Sequence, residues 1–227
     1  RKLSGDETFG RVTGKNEQTS IEIALDYAHA GLFDDAAEVL LQAPGNKPMR
    51  GYFLGWVYSQ AGKSRAAVQA CIEASQQPPD ACFPNHLESV LALEEAMYLN
   101  PMDACAPYYL GNFWYAHQRH AEAIECWENS RCLDPSFPTL HRNLGLAYYN
   151  HRRDPGRALV SLEIAFALDP TDGRVFFELD QLEKRLNRPP KERLESLEAH
   201  ADLVDRRDDL ALERITLLNL LGRHEEA

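Results

Sequence analysis

Between Ala104 and Phe137 the chain alternates small and large residues at helical spacing: Gly111, Ala123 and Ser130 are small, and Leu110, Trp114, Ile124, Trp127 and Leu133 are large. Apolar positions three and four apart, on both sides of a short polar stretch, predict two amphipathic helices joined by a tight turn and ending at Asp134-Pro135. The small side chains let the two rods nest closely. Related versions of this stretch recur along most of the chain. Repetition of that kind predicts an array growing along one axis, in which each unit touches only its neighbours, instead of one closed core.

Taken in order, residues 1–16 are polar and glycine-rich without a sustained period, and read as a linker or the tail of a preceding element. A first pair spans about 17–47. Ile21, Ala24, Leu25 and Ala28 form its first stripe, with Thr19 or Ser20 as N-cap; Gly31 breaks it, and Phe33, Ala36, Ala37, Leu40 and Ala43 make the partner helix. A second pair covers 48–81, opened by Pro48, turned at Gly62 and stopped by Pro78-Pro79. Residues 86–99 then predict one unpaired helix inserted in the stack. Pairs follow at 104–137 and 138–172. In the latter, Gly145 and Ala158 stand one residue further apart than Gly111 and Ala123, and the extra residue is expected in the turn. An eroded pair at 173–204 carries Asp180 where earlier pairs have glycine. A truncated pair occupies 208–227, where Glu225-Glu226-Ala227 would begin a further helix, so the parent protein is expected to continue. No strand is needed. The fold expected is an all-α solenoid of antiparallel helix pairs with one inserted helix.

Composition narrows the function. Of the 227 residues 44% are hydrophobic, enough for a continuous helical interior, while a net charge of -11 makes nucleic acid a poor partner. No run of 18 apolar residues predicts a membrane span. The five cysteines, Cys71, Cys82, Cys105, Cys126 and Cys132, include no CxxC; reduced thiols in a cytoplasmic protein are the simple reading, and a Cys82–Cys105 disulfide the sharper one. His117 and His120 are three apart near a turn, with His141 and His151 as further candidates, but no third ligand stands at a diagnostic spacing for metal. Gly62-Lys63-Ser64 is a partial phosphate-loop match, with Val57 where the first glycine belongs. No catalytic residue, cofactor or metal is therefore expected.

The spacing resembles the tetratricopeptide repeat, a family with a period of 34 residues. Leu110-Gly111, Trp114, Ala123, Trp127, Ser130 and Pro135 stand at that family's offsets. So do Leu54-Gly55, Tyr58, Ala67, Ala74 and Pro79, and again Leu144-Gly145, Tyr148, Ala158, Ala165 and Pro170. The stretches CFPNHLE, YYLGNFWY and LDPSFPTLHRNLGLAYYN, with the later DQLEKRLNRPPKERL, are also similar to the repeat region of large bacterial proteins that carry an N-terminal mutarotase-like β-domain of uncharacterised function.

The resemblance implies a right-handed superhelix and a non-catalytic protein-interaction scaffold in which the first helix of each pair lines a concave groove. By offset the groove residues are Tyr52, Trp56, Tyr108, Asn112, Tyr115, Arg142, Leu146, Tyr149, Phe177, Gln181 and Lys184. Aromatics offer large contact area at low entropic cost, and arginine is a frequent anchor. The partner would be a protein or peptide, or the N-terminal domain of the same parent chain. The alternative is a substrate-recruiting or regulatory region of a larger, carbohydrate-related enzyme whose catalytic domain lies elsewhere. A third reading is self-association through the ends of the stack. Family members that grip a C-terminal carboxylate place Lys and Asn one turn apart on the first helix. The corresponding pairs here are Ile21/Leu25, Tyr52/Trp56, Tyr108/Asn112 and Arg142/Leu146, none of which forms that clamp. Titration with an acidic chaperone C-terminal peptide is therefore expected to show no binding that depends on its free carboxylate; micromolar affinity lost on amidation of the peptide would overturn this.

Overall fold

A computed structural model describes residues 16–45, 47–79 and 82–227. The predicted linker, apart from Asn16, lies outside the described residues. Among those described there are helices and turns and no strand. Two compact units divide the chain, Arg1–Leu133 and Asp134–Ala227. The first holds α1 (Glu17–His29), α2 (Phe33–Gln42), α3 (Pro48–Gln60), α4 (Ser64–Ser75), α5 (Glu88–Leu99), α6 (Cys105–Ala116) and α7 (His120–Leu133). The second holds α8 (Pro138–Ala147), α9 (Pro155–Leu168), α10 (Gly173–Arg185), α11 (Pro190–Ala199), the short α12 (Ala201–Val204) and α13 (Asp208–Leu220). Residues His224–Glu226 form a 3-10 turn, where a new α-helix was expected.

The helix starts follow capping chemistry. Asn16, not Thr19 or Ser20, caps α1: its backbone is extended and its side chain accepts from the Gln18 N–H at 3.0 Å. Ser20 is instead buried one turn in, with its hydroxyl donating to the Asn16 carbonyl. Asp154 caps α9 through the Arg157 N–H at 3.0 Å, and Asp172 caps α10 through the N–H groups of Arg174 and Val175.

One backbone device closes most of the helix pairs. After α1, Gly31 takes a left-handed φ of 74°; its N–H donates to the Ala28 carbonyl, and the next N–H, from Leu32, donates to Tyr27. These two hydrogen bonds satisfy carbonyls that the helix end would leave open. Gly62 repeats them with Ser59 and Tyr58 as acceptors. Gln118 at φ 62° and Asn187 at φ 59° make the same bonds without glycine. In the 138–172 pair the spare residue is absorbed by a π turn, Tyr148–Arg152, continuing α8, and not by the loop. The left-handed position then falls on Arg153, and the Asp154 N–H reaches back one residue further, to Tyr148. A π turn accommodates an insertion without moving the paired helix.

Within a pair the rods approach at the predicted small residues. A Cβ on Gly55 would strike the Cys71 thiol, and one on Gly111 would strike the Trp127 indole. On Gly145 it would lie 2.8 Å from Leu162 Cγ and 3.2 Å from the Ala158 carbonyl oxygen. The Trp127 N–H is satisfied at that contact by the Tyr108 carbonyl and Asn112 Oδ1, both at 3.2 Å. The Ser130 hydroxyl donates to the Ala104 carbonyl at 2.7 Å, tying the far ends of α6 and α7.

The eroded pair solves the same problem differently. Asp180 and Arg193 stand where the 138–172 pair has Gly145 and Ala158. Both are buried, and they form a two-point ion pair at 2.9 and 2.6 Å. Arg193 also donates to Glu213 of α13 at 2.9 Å, so one guanidinium ties α10, α11 and α13 together. Around it, Phe176, Leu194, Leu197, Leu203, Val204, Leu210, Leu217 and Leu218 form a dry cluster. Removing one partner of a buried pair leaves an uncompensated charge and costs about 3–5 kcal/mol, whereas replacing both is far less harmful. Asp180→Ala is expected to destabilise the second unit by that amount, and Asp180→Gly with Arg193→Ala to recover most of it. Hydrogen exchange of the α10 and α11 amides measures both; wild-type protection in the single variant would show that the pair contributes nothing.

Candidate functional site

In the first unit the predicted groove residues are mostly covered. Tyr52 is 0% exposed, Trp56 9% and Tyr108 7%. The cause is α5, which packs on both α3 and α6 and so lies over the side of those helices that the repeat offset assigns to a groove. Phe53 meets His86 edge-on, Ser59 donates to Glu95 at 2.5 Å, and His29 lies 2.9 Å from Glu88. Tyr52 is a core hydrogen-bond donor: its hydroxyl reaches Asp103 Oδ2 at 2.9 Å, and burial followed by the Asp103 charge pushes the phenol well above its usual range. Asp103, just past α5, receives the Cys105 and Ala106 N–H groups on its other oxygen. Burial raises its carboxyl above the ordinary carboxylate value against the pull of those bonds. Of the remaining predicted residues in this unit, Asn112 accepts from Trp127, and Tyr115 lies against Trp127 and His120, each half-buried.

The second unit brings its predicted residues together. Arg142, Leu146 and Tyr149 recur at helical spacing along α8 and its π turn, and Phe177, Gln181 and Lys184 do so along α10. Leu146, Tyr149, Phe177 and Gln181 line one cavity of about 210 Å³, backed by Gly145, Leu162 and Leu182. Glu178 also lines the cavity and is held in a two-point pair by Arg142, at 2.7 and 2.5 Å, while Arg174 approaches the same carboxylate at 3.3 Å. Lys184 turns away: its ammonium pairs with Glu213 at 2.6 Å.

The sequence pattern passed over the neighbouring Arg185. Its guanidinium lies 5.5 Å from the centre of the Tyr149 ring and forms part of the cavity wall. Among the described residues it pairs with no carboxylate. Its adjacency to Lys184 at a helix end was the signal available; which of the two cations is neutralised depends on where α13 places Glu213. The cavity thus sets an arginine over an aromatic face beside Leu146 and Phe177, an apolar surface with a cation at its edge.

Comparison with known proteins finds the same repeat. A family model described as TPR repeat matches residues 111–151. A thermophilic TPR protein of Thermus thermophilus is 17% identical, over 89% of this chain and 98% of its own, with a TM-score of 0.46. A MamA structure from Desulfovibrio magneticus RS-1 is 17% identical over 85% and 97% of the two chains, with a TM-score of 0.47. The first TPR of Spaghetti (RPAP3), solved with the HSP90 peptide SRMEEVD, is 20% identical over 52% and 93%, with a TM-score of 0.45.

The chemistry considered from sequence is dispersed. His117 Nδ1 lies 2.8 Å from the Phe113 carbonyl and its ring stacks on Phe113, while His120 faces Tyr115. His141 is buried with Nε2 2.7 Å from the Pro135 carbonyl. Among the described residues no three His, Cys, Asp or Glu side chains gather as metal ligands, and no helix is long and apolar enough to cross a membrane. None of the five cysteines forms a disulfide, so the Cys82–Cys105 pairing is not made: Cys105 donates to the Ser75 carbonyl at 3.7 Å, and Cys82 lies beside the Tyr109 hydroxyl. Burial raises Cys71 to about 12, helped by Asp103 and Glu95, and Cys126 to about 11, helped by Glu125 and Glu94. Neither is a useful thiolate near neutrality. Iodoacetamide at pH 8, followed by peptide mass spectrometry, should modify the exposed Cys132 first and Cys71 last; rapid alkylation of Cys71 in the folded protein would contradict the packing of α3 on α4.

Proposed function

We propose that this chain, which matches the tetratricopeptide repeat over residues 111–151, is a non-catalytic protein-interaction scaffold. The second unit does the gripping, through the cavity between α8 and α10. The observation that carries this reading is the meeting of Leu146, Tyr149, Phe177 and Gln181 around Arg185, a guanidinium that among the described residues has no carboxylate to neutralise it. The bound segment supplies an apolar or aromatic side chain for the cavity and a Glu or Asp side chain for Arg185. Arg142 and Glu178 neutralise each other and hold the mouth in shape, leaving specificity to the remaining cation. Affinity comes from desolvating one apolar anchor and one ion pair, the combination that concentrates binding energy in a few residues.

The reading assigns no bond-making step to residues 1–227. Partners are proteins or peptides, and the net charge of -11 argues against nucleic acid.

Panning the immobilised protein against a random peptide library should enrich sequences that pair a large apolar residue with Asp or Glu. Arg185→Glu, at an exposed position, should weaken a selected peptide at least tenfold, and Tyr149→Ala should do so to a smaller extent. Unchanged affinity in both variants would remove the cavity as the binding site.

A further inference from the structure

The inserted helix leaves one of its sides uncovered. Leu87, Leu91 and Tyr98 follow one another at steps of four and seven residues, which sets them along a single side of α5 and its N-terminal flank, and Met102 stands in the turn three residues past the helix end. Phe83 precedes them. Their exposures are 73%, 50%, 79% and 77%, with 77% for Phe83. The opposite side, Ser89, Ala92, Leu93 and Ala96, is buried. Elsewhere among the described residues of the first unit, large exposed apolar side chains are limited to Leu32 and Leu41, so these five are a concentration and not ordinary scatter.

The same side carries charge of one sign. Glu94 is exposed in line with the stripe, between Leu91 and Tyr98. Glu125 of α7 is exposed as well, and the charges of Glu125, Glu94 and Glu122 add to burial in raising the Cys126 thiol. Arg119 holds Glu122, but among the described residues Glu94 and Glu125 pair with no cation.

We propose that this side of α5 receives an amphipathic α-helix from another protein, apolar where it lies on Leu87, Leu91 and Tyr98, and bearing Lys or Arg opposite Glu94. Leu87 to Tyr98 spans about 16 Å of helix, so the incoming helix needs roughly three turns. The charge selects a foreign helix over a second copy of this chain. Antiparallel pairing of α5 with itself can match Leu91 to Tyr98, but it brings two Glu94 carboxylates together near the two-fold axis. Two chains each of net charge -11 also repel. The inference rests on residues of the first unit alone, so it stands or falls separately from the cavity of the second.

The test uses the full chain and a fluorescent 14-residue amphipathic peptide of Leu and Lys, with a Leu/Glu peptide of the same pattern as control. Anisotropy should show saturable binding of the Leu/Lys peptide only. Leu91→Ser with Tyr98→Ser, both at exposed positions, should weaken it at least tenfold while far-UV circular dichroism stays unchanged. Glu94→Lys should weaken it several-fold and flatten its salt dependence. Wild-type affinity in the double variant would overturn the proposal, as would equal binding of the Leu/Glu peptide. Sedimentation equilibrium supplies the remaining arm: a monomer is expected, and a dimer abolished by the double variant would make the occupant a second copy of the chain.

Discussion

Everything in these two units depends on how closely the two helices of a pair approach. Where Gly55 faces Cys71, where Gly111 faces Trp127 and where Gly145 faces Leu162, there is no room for one more carbon atom. That contact converts two marginal helices into a unit, because a helix of a dozen residues has little stability by itself and gains most of it from packing. Asp180 and Arg193 make the dependence visible by violating it. Larger side chains enter the seam there as a buried two-point ion pair, with Glu213 as a further acceptor for the arginine.

A second consequence follows from breaking the rhythm. One helix without a partner, α5, must bury its apolar side on something, and it does so on α3 and α6. Tyr52, Trp56 and Tyr108 thereby pass from a surface available to partners into the interior, and Asp103 follows them as the acceptor for the Tyr52 hydroxyl. The cost of burying that carboxyl is offset by two backbone N–H groups as well as the phenol. The two units thus offer unlike chemistry: an apolar stripe with carboxylates in the first, and a small aromatic cavity with an arginine in the second, neither charge having an ion-pair partner among the described residues.

Much was legible from the chain alone. The all-α architecture, the inserted helix and the small residues at the seams follow from apolar spacing and from Gly and Pro, because helical period and backbone conformation are local properties; the break that separates α12 from α11 had no such signal. The tight reversal at Gly31 and Gly62 is likewise local. At Gln118 and Asn187 the same left-handed backbone occurs without glycine, so composition gave no warning and only the recurring pair of hydrogen bonds reveals it. The insertion before Ala158 was countable in the sequence, but its place was not, since a π turn at Tyr148–Arg152 and a longer loop use the same number of residues.

The side chains that face a partner were the part left to tertiary structure. Offset within a repeat assigns Tyr52 and Phe177 the same role, yet one is sealed beneath α5 and the other lines a cavity. Lys184 and Arg185 are adjacent cations that no pattern distinguishes, until α13 brings Glu213 to the first and leaves the second beside Tyr149. Periodicity specifies which way a residue points from its own helix, a short-range property. Whether that direction ends in solvent, in another helix or on an opposite charge is settled by elements tens of residues away, and so by the assembled fold alone.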